Sequence, residues 1–104
     1  MGAHTYLLEA KWQQALTGQG DLLVFEGKLT SKAAWARGLF VSYNGFTNVG
    51  LEAFGRGKRT ICMHGRDIYD MLERRIPLDE VIERKARGAV ETGLPFMSVQ
   101  ELFK

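Results

Sequence analysis

The most constraining feature of the sequence is a short, almost continuously apolar run, Leu39-Phe40-Val41-Ser42-Tyr43, followed directly by the turn-forming pair Asn44-Gly45. Such runs are typical of a strand that is buried on both faces, as strands inside parallel sheets usually are. Because helices must then cover both faces of the sheet, the run predicts an α/β protein.

The segments around this run alternate as a parallel sheet requires. Strands are predicted at residues 5–12 and 60–63. The predicted helices cover residues 22–36, capped by Asp21, residues 47–54, capped by Thr47, and residues 67–74 and 77–92. Residues 96–103 form a short strand or a packed arm. With right-handed crossovers, this order predicts a three-layer α/β/α fold with a mainly parallel sheet.

Size and composition predict one domain over residues 1–104, because a chain this short does not build two cores. The net charge of +2 is too small to indicate nucleic-acid binding by itself. The single cysteine, Cys62, excludes an intrachain disulfide and, between Ile61 and Met63, is expected to be a buried thiol in a reducing compartment. The sequence contains no signal-like segment and no apolar run long enough to span a bilayer, so we expect a cytoplasmic protein.

The first predicted strand carries an unusual polar pair. Alternation places Glu9 and Lys11 on one face, whereas Tyr6, Leu8 and Trp12 share the other. A solvated sheet face or edge is the simpler explanation, and Glu-x-Lys alone is a weak signal. The alternative is phosphodiester hydrolysis, in which a carboxylate holds Mg²⁺ and a neighbouring lysine orients water or offsets developing charge. The Ala10 carbonyl would add a hard oxygen ligand.

Several segments together resemble the Mrr-like restriction endonucleases of the PD-(D/E)xK nuclease superfamily. The resemblance covers about residues 6–96, and residues 37–47 are its most specific part. The segments are LLEAKW at 7–12, DL at 21–22 with FEGKL at 25–29, RGLFVSYNGFT at 37–47, HGRDI at 64–68 followed by Leu72, and Lys85 with Ala89, Thr92 and Gly93.

The resemblance implies a restriction-endonuclease-like fold and a Mg²⁺-dependent DNA endonuclease in which Glu9 is the metal-binding acid and Lys11 the catalytic lysine. These nucleases carry an upstream helix and a hairpin bearing an aspartate, whereas residues 1–8 contain no acidic side chain. We therefore interpret the chain as a domain truncated at its N-terminus and inactive in isolation, unless Asp21, Glu26 or a second chain completes the metal site. The strand of Glu9 would be an open edge, which predicts a homodimer or strand exchange there.

Further residues are candidates for DNA contacts. Lys28 is expected near the Glu9 strand, although a solvated helix lysine is an equal alternative. Asn44 closes the second strand at the carboxyl end, where ligands of parallel sheets bind, but its role in the turn is favoured. Arg56, Lys58 and Arg59 form a basic loop that is either solvated or in contact with the DNA backbone.

The charged residues from 70 to 87 are interpreted as exposed helix faces, because acidic and basic residues balance. They are Asp70, Glu73, Arg74, Arg75, Asp79, Glu80, Glu83, Arg84, Lys85 and Arg87. His4 and His64 lack the spacing of zinc ligands. Two other functions remain open: a non-catalytic DNA-binding or assembly module of the same fold, and an unrelated α/β module for a small ligand. The last is least favoured, because no glycine-rich phosphate loop follows a strand.

Overall fold

The computed structural model describes residues 6–31, 37–54, 60–92 and 97–103. Its elements are β1 (Tyr6–Lys11), α1 (Gln19–Thr30), β2 (Arg37–Ser42), α2 (Asn48–Phe54), β3 (Thr60–His64), α3 (Gly65–Glu73), α4 (Leu78–Thr92) and α5 (Val99–Leu102). The three strands form one parallel sheet in the order β1-β2-β3. The prediction of an α/β protein with a parallel sheet is therefore confirmed.

The register of the strands defines two faces of the sheet. Glu9 is paired with Phe40, which is paired with Cys62, so these side chains share one face. Ala10, Val41 and Met63 are aligned in the same way on the other. Because side chains alternate along a strand, every odd-numbered residue of β1 lies on the Glu9 face and every even-numbered residue on the Ala10 face.

Helices pack on both faces. On the Glu9 face, Leu22 and Phe25 of α1 pack against Phe40 and Cys62. The rings of Phe25 and Phe40 meet edge to face with their centroids 5.2 Å apart. On the Ala10 face, residues from α3, α4 and α5 pack against β2 and β3. The buried cluster on this face of the sheet contains Leu39, Val41, Met63, Met71, Val81, Ile82 and Val99.

A glycine in β2 allows α1 to pack closely on the sheet. A Cβ atom at Gly38 would lie 2.5 Å from Cε2 of Phe25 and 3.2 Å from Cδ2 of Leu29. Both helix residues are fully buried. The close approach therefore explains why the amino end of β2 carries no side chain at this position.

The two ends of the sheet differ in how they are covered. β1 pairs with β2 and, within the described residues, with no other strand. Its Ala10 face also lacks a helix among these residues: Leu8 is 62% exposed, Trp12, directly after the strand, is 66% exposed, and Tyr6 is exposed as well. The core built by α3, α4 and α5 thus lies over β2 and β3.

Several local predictions are confirmed and others are wrong. Leu22, Phe25 and Leu29 are buried on one side of α1, in agreement with a helix in this segment, and the hydroxyl of Thr47 accepts a hydrogen bond from the backbone N–H of Gly50 as an N-cap does. However, α1 begins earlier than predicted, with Gly18 as its N-cap. Asp21 lies in the first turn and accepts a 3.4 Å hydrogen bond from the N–H of Gly18. The segment after residue 96 contains a short helix, α5, rather than a strand, and Val99 is fully buried, so the alternative of a packed arm is confirmed.

The prediction for the later helices is wrong at particular positions. Asp70 and Lys85, expected on exposed faces, are buried, whereas Leu72 is 67% exposed. Residues 32–36, the predicted end of the first helix, lie outside the described residues. In the described part of the chain, none of the helices has the length and apolar character needed to cross a membrane.

Candidate functional site

Glu9 and Lys11 lie on the face of β1 that α1 partly covers. Their side chains are 30% and 33% exposed, so both groups reach solvent from a half-buried position. The alternation along β1 puts the two on the same face, as the sequence indicated. The pair is therefore neither sealed in the core nor freely solvated.

Each member of the pair has a partner of opposite charge on α1. The Nζ of Lys28 lies 3.4 Å from Oε1 of Glu9, and the Nζ of Lys11 lies 3.7 Å from Oδ1 of Asp21. A crossover helix returns in the opposite direction to the strand before it, so its first turn is near the end of β1 and its last turn near the beginning. This geometry matches Asp21 with Lys11 and Lys28 with Glu9. Lys28 thus lies close to the Glu9 strand, as predicted.

These four side chains, which we call the β1 charge cluster, have two negative and two positive charges. Lys28 is 56% exposed and Asp21 is 40% exposed. Ion pairs at this exposure contribute only about 0–1 kcal/mol each. A phosphate or a cation can therefore displace one partner at small cost.

Glu26 does not belong to this cluster. Its Oε1 accepts a 3.1 Å hydrogen bond from the hydroxyl of Thr60, which ties α1 to β3. Within the described ranges, no three or more His, Cys, Asp and Glu side chains are grouped so that they could hold a metal ion. The oxygen ligands that β1 itself offers to a cation are the carboxylate of Glu9 and the carbonyl of Ala10.

Asn44 holds together the loops that follow β1 and β2. Its Nδ2 donates to the carbonyl of Gln13 at 3.2 Å and to that of Gln14 at 2.8 Å. Together with Trp12 and Tyr43, these residues line an open cavity of about 320 Å³ at the carboxyl ends of the two strands. The amide of Asn44 thus has a positioning role in the structure, in agreement with the turn interpretation of the sequence.

An aromatic pair beside this cavity was missed by the sequence analysis. The rings of Trp12 and Tyr43 meet edge to face with centroids 5.5 Å apart, and both side chains are more than half exposed. The signal that could have found the pair is the strand alternation, which places Trp12 on the Ala10 face, together with the position of Tyr43 at the end of the second strand. The three basic residues proposed to contact DNA, Arg56, Lys58 and Arg59, lie outside the described residues.

A buried ion pair at the opposite end of the sheet was also missed. Lys85 Nζ lies 3.0 Å from Oδ2 of Asp67, and the two side chains are only 4% and 1% exposed. Burial lowers the pKa of Lys85, and the adjacent carboxylate opposes that shift. Lys85 lies one helical turn after Val81, on the apolar stripe of α4, and this position was the available signal.

The carboxylate of Asp67 joins three elements. Its Oδ2 accepts from the N–H of His64 at 3.0 Å, and its Oδ1 accepts from the N–H of Val99 at 2.9 Å. Lys85 also donates to the carbonyl of Met97 at 2.7 Å. The pair therefore fastens α5 and the segment before it to the β3–α3 junction, which is a structural role rather than a binding role.

Comparisons of the chain with protein-family models, with curated proteins and with solved structures return no match.

Proposed function

We propose that the chain is part of a restriction-type DNA endonuclease domain of restriction-endonuclease-like fold, with Glu9 as a ligand of Mg²⁺ and Lys11 as the catalytic lysine. The observation that carries this proposal is the β1 charge cluster, in which Glu9 and Lys11 share one half-buried, solvent-accessible face of an edge strand.

The arrangement of charges suits a phosphodiester substrate. Lys11 and Lys28 would offset the negative charge of the phosphate, and their exposed ion pairs with Asp21 and Glu9 open at small cost. Once released from Asp21, the ammonium of Lys11 would orient the attacking water or stabilise charge that develops on the phosphate. After the reaction, Lys11 would form its ion pair with Asp21 again.

The residues of β1 fit Mg²⁺ only in part. Mg²⁺ in such sites keeps several waters and is held by one or two carboxylates together with substrate phosphates, so Glu9 and the Ala10 carbonyl are an acceptable minimal set. Mg²⁺ would supply polarisation of the phosphate. Because only one carboxylate of β1 is involved, we expect weak metal binding and little or no cleavage by the isolated chain.

The metal site can be tested without activity. Mn²⁺ prefers the same oxygen ligands as Mg²⁺ and broadens the NMR signals of nearby nuclei. We expect Mn²⁺ to broaden the amide signals of Glu9, Ala10 and Lys11 most strongly, and Glu9→Gln to abolish this effect. Glu52→Gln is the matched control, because Glu52 is an exposed carboxylate on α2. Broadening that persists in Glu9→Gln would contradict the assignment.

Catalysis is tested with supercoiled DNA and Mg²⁺. If nicking is detected, it should disappear in Glu9→Gln and in Lys11→Met and persist in Glu52→Gln, because only the first two changes alter the β1 charge cluster. Nicking that survives Glu9→Gln would show that cutting does not use this strand, and the proposal would be wrong.

The second candidate is a DNA-binding or assembly module of the same fold that does not cut. It is favoured by the pairing of Glu9 with Lys28, which neutralises the carboxylate that a metal needs. This function predicts DNA binding that weakens steeply with salt, because the affinity would come from phosphate contacts. DNA binding should then be the same with and without Mg²⁺, and the same in Glu9→Gln. The endonuclease proposal instead requires that Mg²⁺ changes DNA binding and that Glu9→Gln changes it as well.

A further inference from the structure

The open edge of β1 has a defined pattern of backbone groups. The carbonyl of Lys11 accepts a 2.9 Å hydrogen bond from the N–H of Tyr43, so Lys11 directs its backbone groups toward β2. In a strand of a parallel pair, the direction alternates from one residue to the next. Leu8 and Ala10 therefore direct their N–H and C=O groups away from β2, toward the edge at which no described strand pairs.

A second copy of β1 can pair with this edge in antiparallel orientation, and charge selects the register. A two-fold axis at Glu9 or at Lys11 would place like charges directly opposite each other, which destabilises a strand pair. An axis at Leu8 would place Glu9 opposite Leu7. An axis at Ala10 places Glu9 opposite Lys11 of the second copy, and Lys11 opposite Glu9 of the second copy.

We propose that the chain forms a homodimer in which two β1 strands pair antiparallel about Ala10, so that the two sheets become one continuous sheet. Ala10 then exchanges both backbone hydrogen bonds with Ala10 of the second copy, as the outward direction of its groups requires. Glu9 and Lys11 occupy the intervening non-hydrogen-bonded positions, where Cα atoms are only about 4.5 Å apart and side chains interact most closely. The proposal rests on the geometry of β1 and does not require nuclease activity.

The same register also matches the apolar residues of the Ala10 face. Leu8 lies opposite Trp12 of the second copy, and both side chains are more than 60% exposed in the single chain. The two apolar stripes are brought side by side, which removes part of this surface from water. One arrangement thus pairs the backbone groups of the open edge and covers part of the apolar Ala10 face. On the Glu9 face of the strand, the same arrangement places opposite charges next to each other.

Disulfide trapping tests both association and register. Across a hydrogen-bonded antiparallel pair the Cα atoms are about 5.5 Å apart, within the range that a disulfide bridges. Ala10→Cys should therefore form a covalent dimer with an oxidant such as oxidised glutathione. The control Leu8→Cys is also at an exposed position but should not form one, because the same position of the second copy would lie four residues away along the strand, about 13 Å. Cys62 is buried and should not contribute.

Charge reversal tests the pairing independently. Glu9→Lys and Lys11→Glu should each be monomeric in analytical ultracentrifugation, because like charges then face each other in the proposed register. A mixture of the two variants should form a heterodimer, since lysines at both positions of one chain face glutamates in the other. Heterodimer formation also demonstrates that both variants are folded.

A monomeric wild-type chain at hundred-micromolar concentration would overturn the proposal. Equal crosslinking of Ala10→Cys and Leu8→Cys, or no heterodimer in the mixture, would overturn the register.

Discussion

Two ends of the same sheet contain lysine–carboxylate pairs in opposite environments. At the β3 end, Lys85 and Asp67 are 4% and 1% exposed beneath α4 and α5, and the carboxylate is held by two backbone N–H groups. At the β1 end, Lys28 and Glu9 are 56% and 30% exposed beside an edge strand. The two pairs have the same residue types, a lysine and a carboxylate, and differ in burial. The buried pair holds elements of the fold together, whereas a ligand can replace one partner of the exposed pair.

The largest expected effect comes from making the same substitution at both ends. Lys85→Met keeps the apolar stem but leaves Asp67 as a buried charge without its counterion, so we expect a loss of about 3–5 kcal/mol in the free energy of unfolding. Lys28→Met removes an exposed pair and should cost at most about 1 kcal/mol. Urea denaturation measures both values. Similar losses for the two variants would mean that the burial difference is not what distinguishes the pairs.

A second comparison concerns the apolar residues on the Ala10 face. Met63 is fully buried in β3, and Met63→Ala should cost about 2–5 kcal/mol because a cavity remains. Leu8→Ala should cost no more than about 0.5 kcal/mol, because Leu8 is already exposed.

These unfolding measurements should be made over a range of protein concentrations, because dilution favours the monomer. If the proposed homodimer forms, the cost of Leu8→Ala should increase with protein concentration, whereas that of Met63→Ala should not. A large cost for Leu8→Ala at every concentration would contradict the exposure of Leu8.

A smaller effect than that of Lys85→Met or Met63→Ala is expected from the pH dependence of the buried thiol. Burial raises the pKa of Cys62 to about 12 from an ordinary value of 9.0. Above pH 9 the unfolded chain loses this proton while the folded chain keeps it, so the free energy of unfolding falls by about 1.4 kcal/mol per pH unit up to pH 12. Lys85 acts in the opposite direction, because its folded pKa is lowered and stability rises with pH until the unfolded lysine also loses its proton.

The contribution of the thiol is isolated by substitution. Cys62→Val removes this group and retains Lys85, so the change in unfolding free energy between pH 8 and pH 10 should be less negative by about 1.4 kcal/mol than in the wild-type chain. Identical pH profiles for the two proteins would contradict the burial of Cys62. The thiol should also be unreactive toward an aromatic disulfide reagent in the native state, in contrast to a cysteine introduced at Ala10.

Much of the fold was predictable because it follows from local patterns. The apolar run 39–43 corresponds to β2, which is buried on both faces, and the period of apolar residues located α1 and α4. One error occurred where a charged residue lies on an apolar stripe. Lys85 has the right position on α4 to face inward, but its charge led to the prediction that it is exposed. A buried ammonium is tolerated only when it has a partner such as Asp67.

For the candidate site, strand alternation was sufficient to place Glu9 and Lys11 on one face. It was not sufficient to identify Asp21 as the partner of Lys11, because that contact depends on where the crossover helix lies on the sheet. The nuclease function, the role of Mg²⁺ and the binding of DNA stay predictions, to be decided by the experiments described above.

The sequence by itself determined the order of strands and helices, the parallel sheet and the shared face of Glu9 and Lys11. These features follow from steric and hydrophobic periodicity within single segments. Only the tertiary structure decided which charges are buried, which face of β1 lacks a helix among the described residues, and which backbone groups face the open edge. Each of these depends on contacts between segments far apart in the chain. Burial changes the energy of a charged side chain far more than its residue type does.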